Sequence, residues 1–215
     1  MHKVATFEEK RRDDPRGRRR KLSNAYIVDR ILYVCRTGCQ WSQLHVENSS
    51  FKTVYHHFNR WSKARVFEDA FYETVKASRP RGDSLVLDTS FVKNVYGKEV
   101  VGRNPTDRGR LATKVSLLTD SEGTPLCTVF HKANKNDSKT LRHLLETTNR
   151  KTKALCNYKD ILADKGYDSA ECRATCGAYG LNALIPRRRT KEYYKGRYVI
   201  EQKHLRSIPT HKGAL

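Results

Sequence analysis

Asp160-Ile161-Leu162-Ala163-Asp164-Lys165-Gly166-Tyr167-Asp168 is the stretch whose reading decides the fold. Apolar residues at 161–163 read as a short buried strand, and Gly166 followed by Asp168-Ser169 reads as a turn feeding a helix N-cap. Asp164 then stands at the C-terminal end of a strand. In open α/β sheets that edge is where ligands bind, and a carboxylate held there is costly unless a cation meets it. Two more acids sit in similar apolar frames. Asp88 lies within Ser84-Leu85-Val86-Leu87-Asp88-Thr89-Ser90-Phe91-Val92, and Glu201 follows Tyr198-Val199-Ile200 on what reads as a late helix. Any one of them is explained well enough as a capping or solvated acid. Three in one chain order make the signal.

The charge balance says what such a site would act on. Of 215 residues, 43 are Lys or Arg and 23 are Asp or Glu, a net charge of +20. A chain this basic has a polyanion as its natural partner, with double-stranded nucleic acid the first candidate. A membrane surface would attract the same charge, but the sequence shows no apolar run of ~18 residues, no signal peptide and no lipidation motif. The expectation is a soluble intracellular protein, in the cytoplasm or nucleoid of a prokaryote or in a nucleus. Its six cysteines, at 35, 39, 127, 156, 172 and 176, are accordingly read as reduced thiols. Cys35/Cys39 and Cys172/Cys176 have helical spacing and could together form a four-thiolate zinc site; buried small hydrophobes is the reading preferred.

Outward from the central stretch, the chain divides into three parts. Residues 1–21 form a polar arm ending in Arg16-Gly17-Arg18-Arg19-Arg20-Lys21, expected to lack structure until it meets phosphate. Residues 22–77 show helical periodicity. Ile27, Val28, Ile31, Leu32 and Cys35 predict a helix capped by Ser23 or Asn24 and ended by Thr37-Gly38. Val54, Tyr55, Phe58 and Trp61 predict a second helix, with His56, His57, Asn59, Arg60 and Lys63 largely on its outer face. A third pattern runs from Val66 to about Val75. Helices of this length with a basic outer face resemble a helix-turn-helix DNA-binding unit. After the breaker cluster 78–83 the period changes. Strands are expected at Ser84–Val95, Leu111–Thr119 and Thr124–Lys132, the last two joined as a hairpin by Asp120-Ser121-Glu122-Gly123. An Asp137-Ser138 cap opens a helix through Leu141, Leu144 and Leu145. The strand ending at Asp164, a helix over 170–178 and a strand over 182–185 follow. Three antiparallel strands and then strand-helix alternation predict a mixed α/β sheet flanked by helices over residues 83–215.

Carboxylates suit Mg²⁺ or Mn²⁺, and hard cations held by Asp and Glu are a usual means of activating water or a 3′-hydroxyl against a phosphodiester. Two such ions ~3.5–4 Å apart can serve the nucleophile and the leaving oxygen separately. A basic protein whose acids converge at a sheet edge therefore reads as a metal-dependent nucleic-acid phosphoryl transferase. Asp83 and Asp120 in turns, and Asp137 and Asp168 at helix caps, each have a sufficient structural task. Arg187-Arg188-Arg189, Lys191, Lys195 and Arg197, interleaved with Tyr193, Tyr194 and Tyr198, form a basic and aromatic patch able to bind phosphates and stack a base. Lys114, Arg60 and the Arg108-Gly109-Arg110 loop are further phosphate candidates.

Several of these segments together resemble a known family. Arg36-Thr37-Gly38-Cys39-Gln40-Trp41, Leu87-Asp88-Thr89-Ser90, Thr113-Lys114-Val115, Leu162-Ala163-Asp164-Lys165-Gly166-Tyr167-Asp168, Ile185-Pro186-Arg187 and Tyr194-Lys195-Gly196-Arg197-Tyr198-Val199-Ile200-Glu201 look like a DDE transposase of the insertion sequence five (IS4/IS5-like) family. The resemblance implies a ribonuclease H-like catalytic domain behind a small all-α domain, with Asp88, Asp164 and Glu201 catalytic. It also implies two Mg²⁺ ions, for which Mn²⁺ can substitute, and cut-and-paste DNA transposition by a homodimer assembled on element ends. Tyr194 and Arg197 would lie near the DNA backbone. The family pattern continues the glutamate helix for several turns. Here Pro209 stops any helix, so the resemblance also implies a shortened C-terminus. The alternative function is a catalytically impaired or domesticated derivative that holds DNA without cutting it.

Overall fold

The computed structural model describes residues 22–78, 81–94 and 99–187. Two compact units divide the chain, Met1–Thr74 and Val75–Leu215.

In the first unit, α1 (Asn24–Thr37) begins where the Ser23 hydroxyl accepts the Tyr26 amide, and ends at Gly38 in the left-handed conformation, φ 67°. Glycine enters that region without a Cβ penalty, which is why Thr37-Gly38 is a stop. A single 3₁₀ turn, Trp41–Gln43, precedes α2 (Phe51–Lys63), capped by Ser50 accepting from the Lys52 amide. The third helix, α3 (Val66–Ala77), runs across the division between the units. Ile27 and Ile31, one turn apart on α1, bury against Val54, Trp61 and Val66, with Leu44 and Val46 from the connecting segment. Helical spacing located this core except at Leu32 and Cys35 of α1, which are exposed, and on one face of α2. Tyr55 is 42% exposed, whereas His57 is buried with its ring 5.2 Å from that of Trp61. Position 57 lies four residues before Trp61, so the helix period takes it inside despite its polarity.

Among its described residues the second unit is a six-stranded mixed sheet with helices. Its strands are β1 (Ser84–Lys93), β2 (Gly102–Arg103), β3 (Leu111–Asp120), β4 (Pro125–Lys132), β5 (Asp160–Ala163) and β6 (Asn182–Leu184). In space β3 lies beside β1, which lies beside β5, which lies beside β6; β2 and β4 share the outer edge of β3 end to end. β1, β3 and β4 pair antiparallel, and β1, β5 and β6 parallel. The hairpin between β3 and β4 turns on Asp120, whose buried carboxylate accepts the amides of Glu122 and Thr124. Between β4 and β5 runs α4 (Asp137–Thr152), and between β5 and β6 runs α5 (Ala170–Gly177).

Leu141, Leu144 and Leu145 of α4 are fully buried, in a core shared with Leu85 and Leu87 of β1, Leu118 of β3, Cys127 and Val129 of β4, and Ile161 of β5. Side chains alternate across a strand, so this covered face claims every second residue of each strand. The cap of α4 is Asn136, which accepts the Ser138 amide and hydroxyl, rather than Asp137-Ser138. That shift of one residue leaves the Asp137 carboxylate available for another partner. Ser169 caps α5, as its spacing predicts. Among the described residues no helix is long and apolar enough to cross a membrane.

Candidate active site

The ladder between β1 and β5 sets the geometry of the site. Its last parallel pair is Leu87 with Ala163. One further step along each strand brings Asp88 and Asp164 side by side, on strands ~4.8 Å apart. Alternation turns Asp88 to the sheet face opposite the buried Leu87, Asp164 follows the last residue of β5, and both are exposed. Each is fixed in the same way. One Asp88 oxygen accepts the Thr89 amide at 2.7 Å, and one Asp164 oxygen accepts the Lys165 amide at 2.6 Å. Neither has an ion-pair partner among the described residues. Two neighbouring acids with no ion-pair partner among the described residues, each with a second oxygen to offer, are a donor set that suits a hard divalent ion. Among the described residues no group of three or more His, Cys, Asp or Glu is placed to hold a metal.

A cleft of about 670 Å³ is lined by Asp88 and Asp164 together with Lys114, Asn136, Asp137 and Tyr167. Asp137 is the residue sequence reasoning missed. With Asn136 as the cap, its carboxylate reaches Lys114 Nζ at 2.7 Å. A Cβ placed on Gly166 would stand 3.6 Å from Asp137 Oδ2 and 3.9 Å from Asp164 Oδ2, so the two acids flank that glycine. Only the identity of the true cap could have revealed this, because Asn and Asp at successive positions are equally acceptable caps.

Lys114, expected to contact DNA, is instead committed inside the protein. Its side chain is only 6% exposed, and its ammonium donates to Asp137 and to the Lys135 carbonyl, each at 2.7 Å. Position 114 falls on the covered face of β3, where a charge is kept only by a partner. Of the other DNA candidates, Arg187 is exposed just after β6, and Arg60 is half-buried with Nη2 3.3 Å from His57 Nδ1. Burial lowers the Arg60 pKa. Arg108 and Arg110 are exposed on a loop organised by Asn104, whose carbonyl accepts the amides of Asp107 and Gly109. Arg18, Arg19, Arg20, Lys21, Arg188, Tyr194, Arg197 and Glu201 lie outside the described residues. Asp168 does not cap α5. It pairs with Arg173 at 3.0 Å, and that guanidinium also holds the carbonyls of Ala183 and Ile185, tying the end of the central stretch to β6. Cys172 and Cys176 are buried on α5, where burial pushes both thiols up, Cys176 to about 11.

Behind the cleft, His131 is buried, with Nε2 3.2 Å from His143 Nδ1 and Nδ1 3.3 Å from Lys135 Nζ. Burial above all, then the charges of Lys135, His143 and Lys114, lowers its pKa to about 4. Between that value and the ordinary ~6.5 of histidine, the unfolded chain binds more protons than the folded one, so stability rises with pH across that window. Urea unfolding at pH 7 and pH 5 should show the native chain weaker at pH 5, and His131→Gln should lose less over the same step. Equal losses in the two proteins would show that His131 stays out of the acid response.

A family model described as “Transposase DDE domain” matches residues 79–213. The chain belongs to the DDE transposases. A second model, “Putative transposase of IS4/5 family”, matches residues 4–71. The “Putative transposase for insertion sequence element IS402” of Burkholderia cepacia is 34% identical over 116 residues. That alignment covers 51% of this chain and 55% of the relative, so the chain spans about half the length of its curated relative. Among solved structures, the piggyBac transposase in a synaptic complex with hairpin DNA superposes with a TM-score of 0.52 at 13% identity, covering 92% of this chain and 50% of that one. At that identity the likeness concerns the fold, and the mixed sheet flanked by helices is ribonuclease H-like.

Proposed function

We propose that this DDE transposase binds the ends of its mobile element and catalyses metal-dependent cleavage and transfer of DNA strands. The observation that supports the reading is that Asp88 and Asp164, exposed and with no ion-pair partner among the described residues, each directly follow the last parallel pair of β1 and β5, Leu87 with Ala163, and line one cleft. Divalent ions held there, with Glu201 as the third acid, would lower the pKa of a nucleophilic water or 3′-hydroxyl and stabilise the leaving oxygen. The chain's own part is to hold two carboxylates at one level of the sheet and to accept the Thr89 and Lys165 amides, which fix their rotamers. Residues 83–215 would supply the catalytic domain. The helical segment 22–77 and the arm 1–21 would bind DNA as a homodimer assembles on the element ends. Exposed Arg187, Arg108 and Arg110 would meet phosphates near the cleft.

The experiment is to incubate the protein with DNA fragments from its own genomic flanks, with and without Mg²⁺. Nicking or joining at the element ends that needs Mg²⁺ is the expected result. Binding without cleavage under any divalent ion would instead identify a DNA-binding protein that has lost the chemistry.

A further inference from the structure

We propose that the Tyr167 hydroxyl, acting through Thr89, is the positioning group that sets the separation of Asp88 and Asp164 and so the affinity of the site for divalent ions. This rests on the reading of the two acids as the ion site.

Three observations converge on it. The β1–β5 ladder ends at Leu87 and Ala163, one residue short of each acid, so the acids stand where the backbone pairing of those strands has run out. Immediately beyond, a side-chain bond takes over: the hydroxyls of Thr89 and Tyr167 lie 2.6 Å apart, joining residues 78 positions apart in sequence. Thr89 directly follows Asp88. Tyr167 closes the 3₁₀ turn Lys165–Tyr167 that Asp164 caps, its amide bonded to the Asp164 carbonyl at 2.9 Å. A displacement of either hydroxyl is thus passed to a carboxylate through one or three residues of hydrogen-bonded backbone.

The bond is also well braced. Tyr167 is 4% exposed, and Thr89 Oγ1 lies 3.1 Å from Ser116 Oγ on β3, so the node joins two strands and the turn after β5. Burial raises the phenol pKa, which keeps the hydroxyl protonated as a donor. By strand alternation Thr89 points to the covered face while Asp88 points to the opposite one, so the phenol acts on Asp88 through the backbone between them. Groups that orient metal-binding residues from behind are known to matter nearly as much as the ligands.

The test is Mn²⁺ binding to the full chain without DNA, followed by the paramagnetic resonance of free Mn²⁺, alongside the Mg²⁺ dependence of DNA cleavage. Tyr167→Phe removes one hydroxyl and keeps the ring; Thr89→Val removes the other and keeps the shape. Each should weaken Mn²⁺ binding roughly tenfold, within the range found for such supporting residues. Because both remove the same bond, the double variant should be no weaker than the singles, and Thr89→Ser, which keeps a hydroxyl, should bind as the native chain does. Affinity for DNA should stay unchanged throughout. Native affinity for Mn²⁺ in Tyr167→Phe, or a double variant weakened by the product of the two singles, overturns the proposal while leaving the ion site standing. Were Tyr167→Phe not to fold, the contrast between Thr89→Val and Thr89→Ser decides the matter. Native Mn²⁺ binding that survives Asp88→Asn would remove the ion-site reading itself, and the positioning role with it.

Discussion

Asp88→Asn and Asp164→Asn should each abolish Mg²⁺-dependent strand cleavage while leaving affinity for DNA unchanged or slightly higher. Asparagine keeps the volume of the side chain and an oxygen for the following amide, so the hydrogen bonds to Thr89 N and Lys165 N can persist. What it removes is the charge that a hard cation needs. Loss of a metal-held transition state is worth several kcal/mol, and about 4 kcal/mol corresponds to roughly a thousandfold in rate. The DNA side of the expectation follows from sign alone. Removing a carboxylate from a site that faces a polyanion lessens repulsion, whereas removal of a phosphate-binding cation would weaken binding. Cleavage of labelled element-end DNA, read beside filter binding, separates the two. A variant of either acid that cuts at the native rate would take that residue out of the site.

Two independent periodicities bring Asp88 and Asp164 into one candidate site. Asp88 and Asp164 each end or interrupt an apolar run, and a parallel sheet that aligns Leu87 with Ala163 brings the next residue of each chain close. Local pattern gave the strands, and pairing of the strands gave the acids their proximity. It failed where two neighbouring residues compete for one role. Asn136 takes the helix cap and releases Asp137 to pair with Lys114, a choice set by tertiary contact and invisible in propensity. His57 fails for the same reason in the other unit, since its polarity argues outward and its spacing from Trp61 argues inward. The two-residue strand β2 could not be read at all. Its pairing with Leu111 and Ala112 depends on the Asn104 loop, and two residues carry no period.

Trp61→Ala should unfold the helical unit and with it most of the affinity for DNA. Trp61 is fully buried among Ile27, Ile31, Val54 and Val66, with Phe67 6.2 Å and His57 5.2 Å from its ring. Truncating a buried tryptophan costs about 3–5 kcal/mol. A helical unit this small holds only a few kcal/mol of stability, because little of its surface can be buried, so a loss of that size exceeds its margin. Hydrogen exchange should then lose protection in α1 and α2 while β1 and β3, whose core is Leu85, Leu87 and Leu118, keep theirs. The consequence for DNA binding follows from where the unit's cations sit. A footprint of about six phosphates gives a log-log salt slope near −5, and scattering the helices that present them should make that slope shallower as well as weaken binding at low salt. Phe58→Leu, a milder change at a half-buried position, should leave both measurements close to native. If Trp61→Ala unfolds α1 and α2 yet binds element ends with the native slope, the helical unit is not the DNA reader, and the phosphate contacts must be sought around the cleft of the sheet.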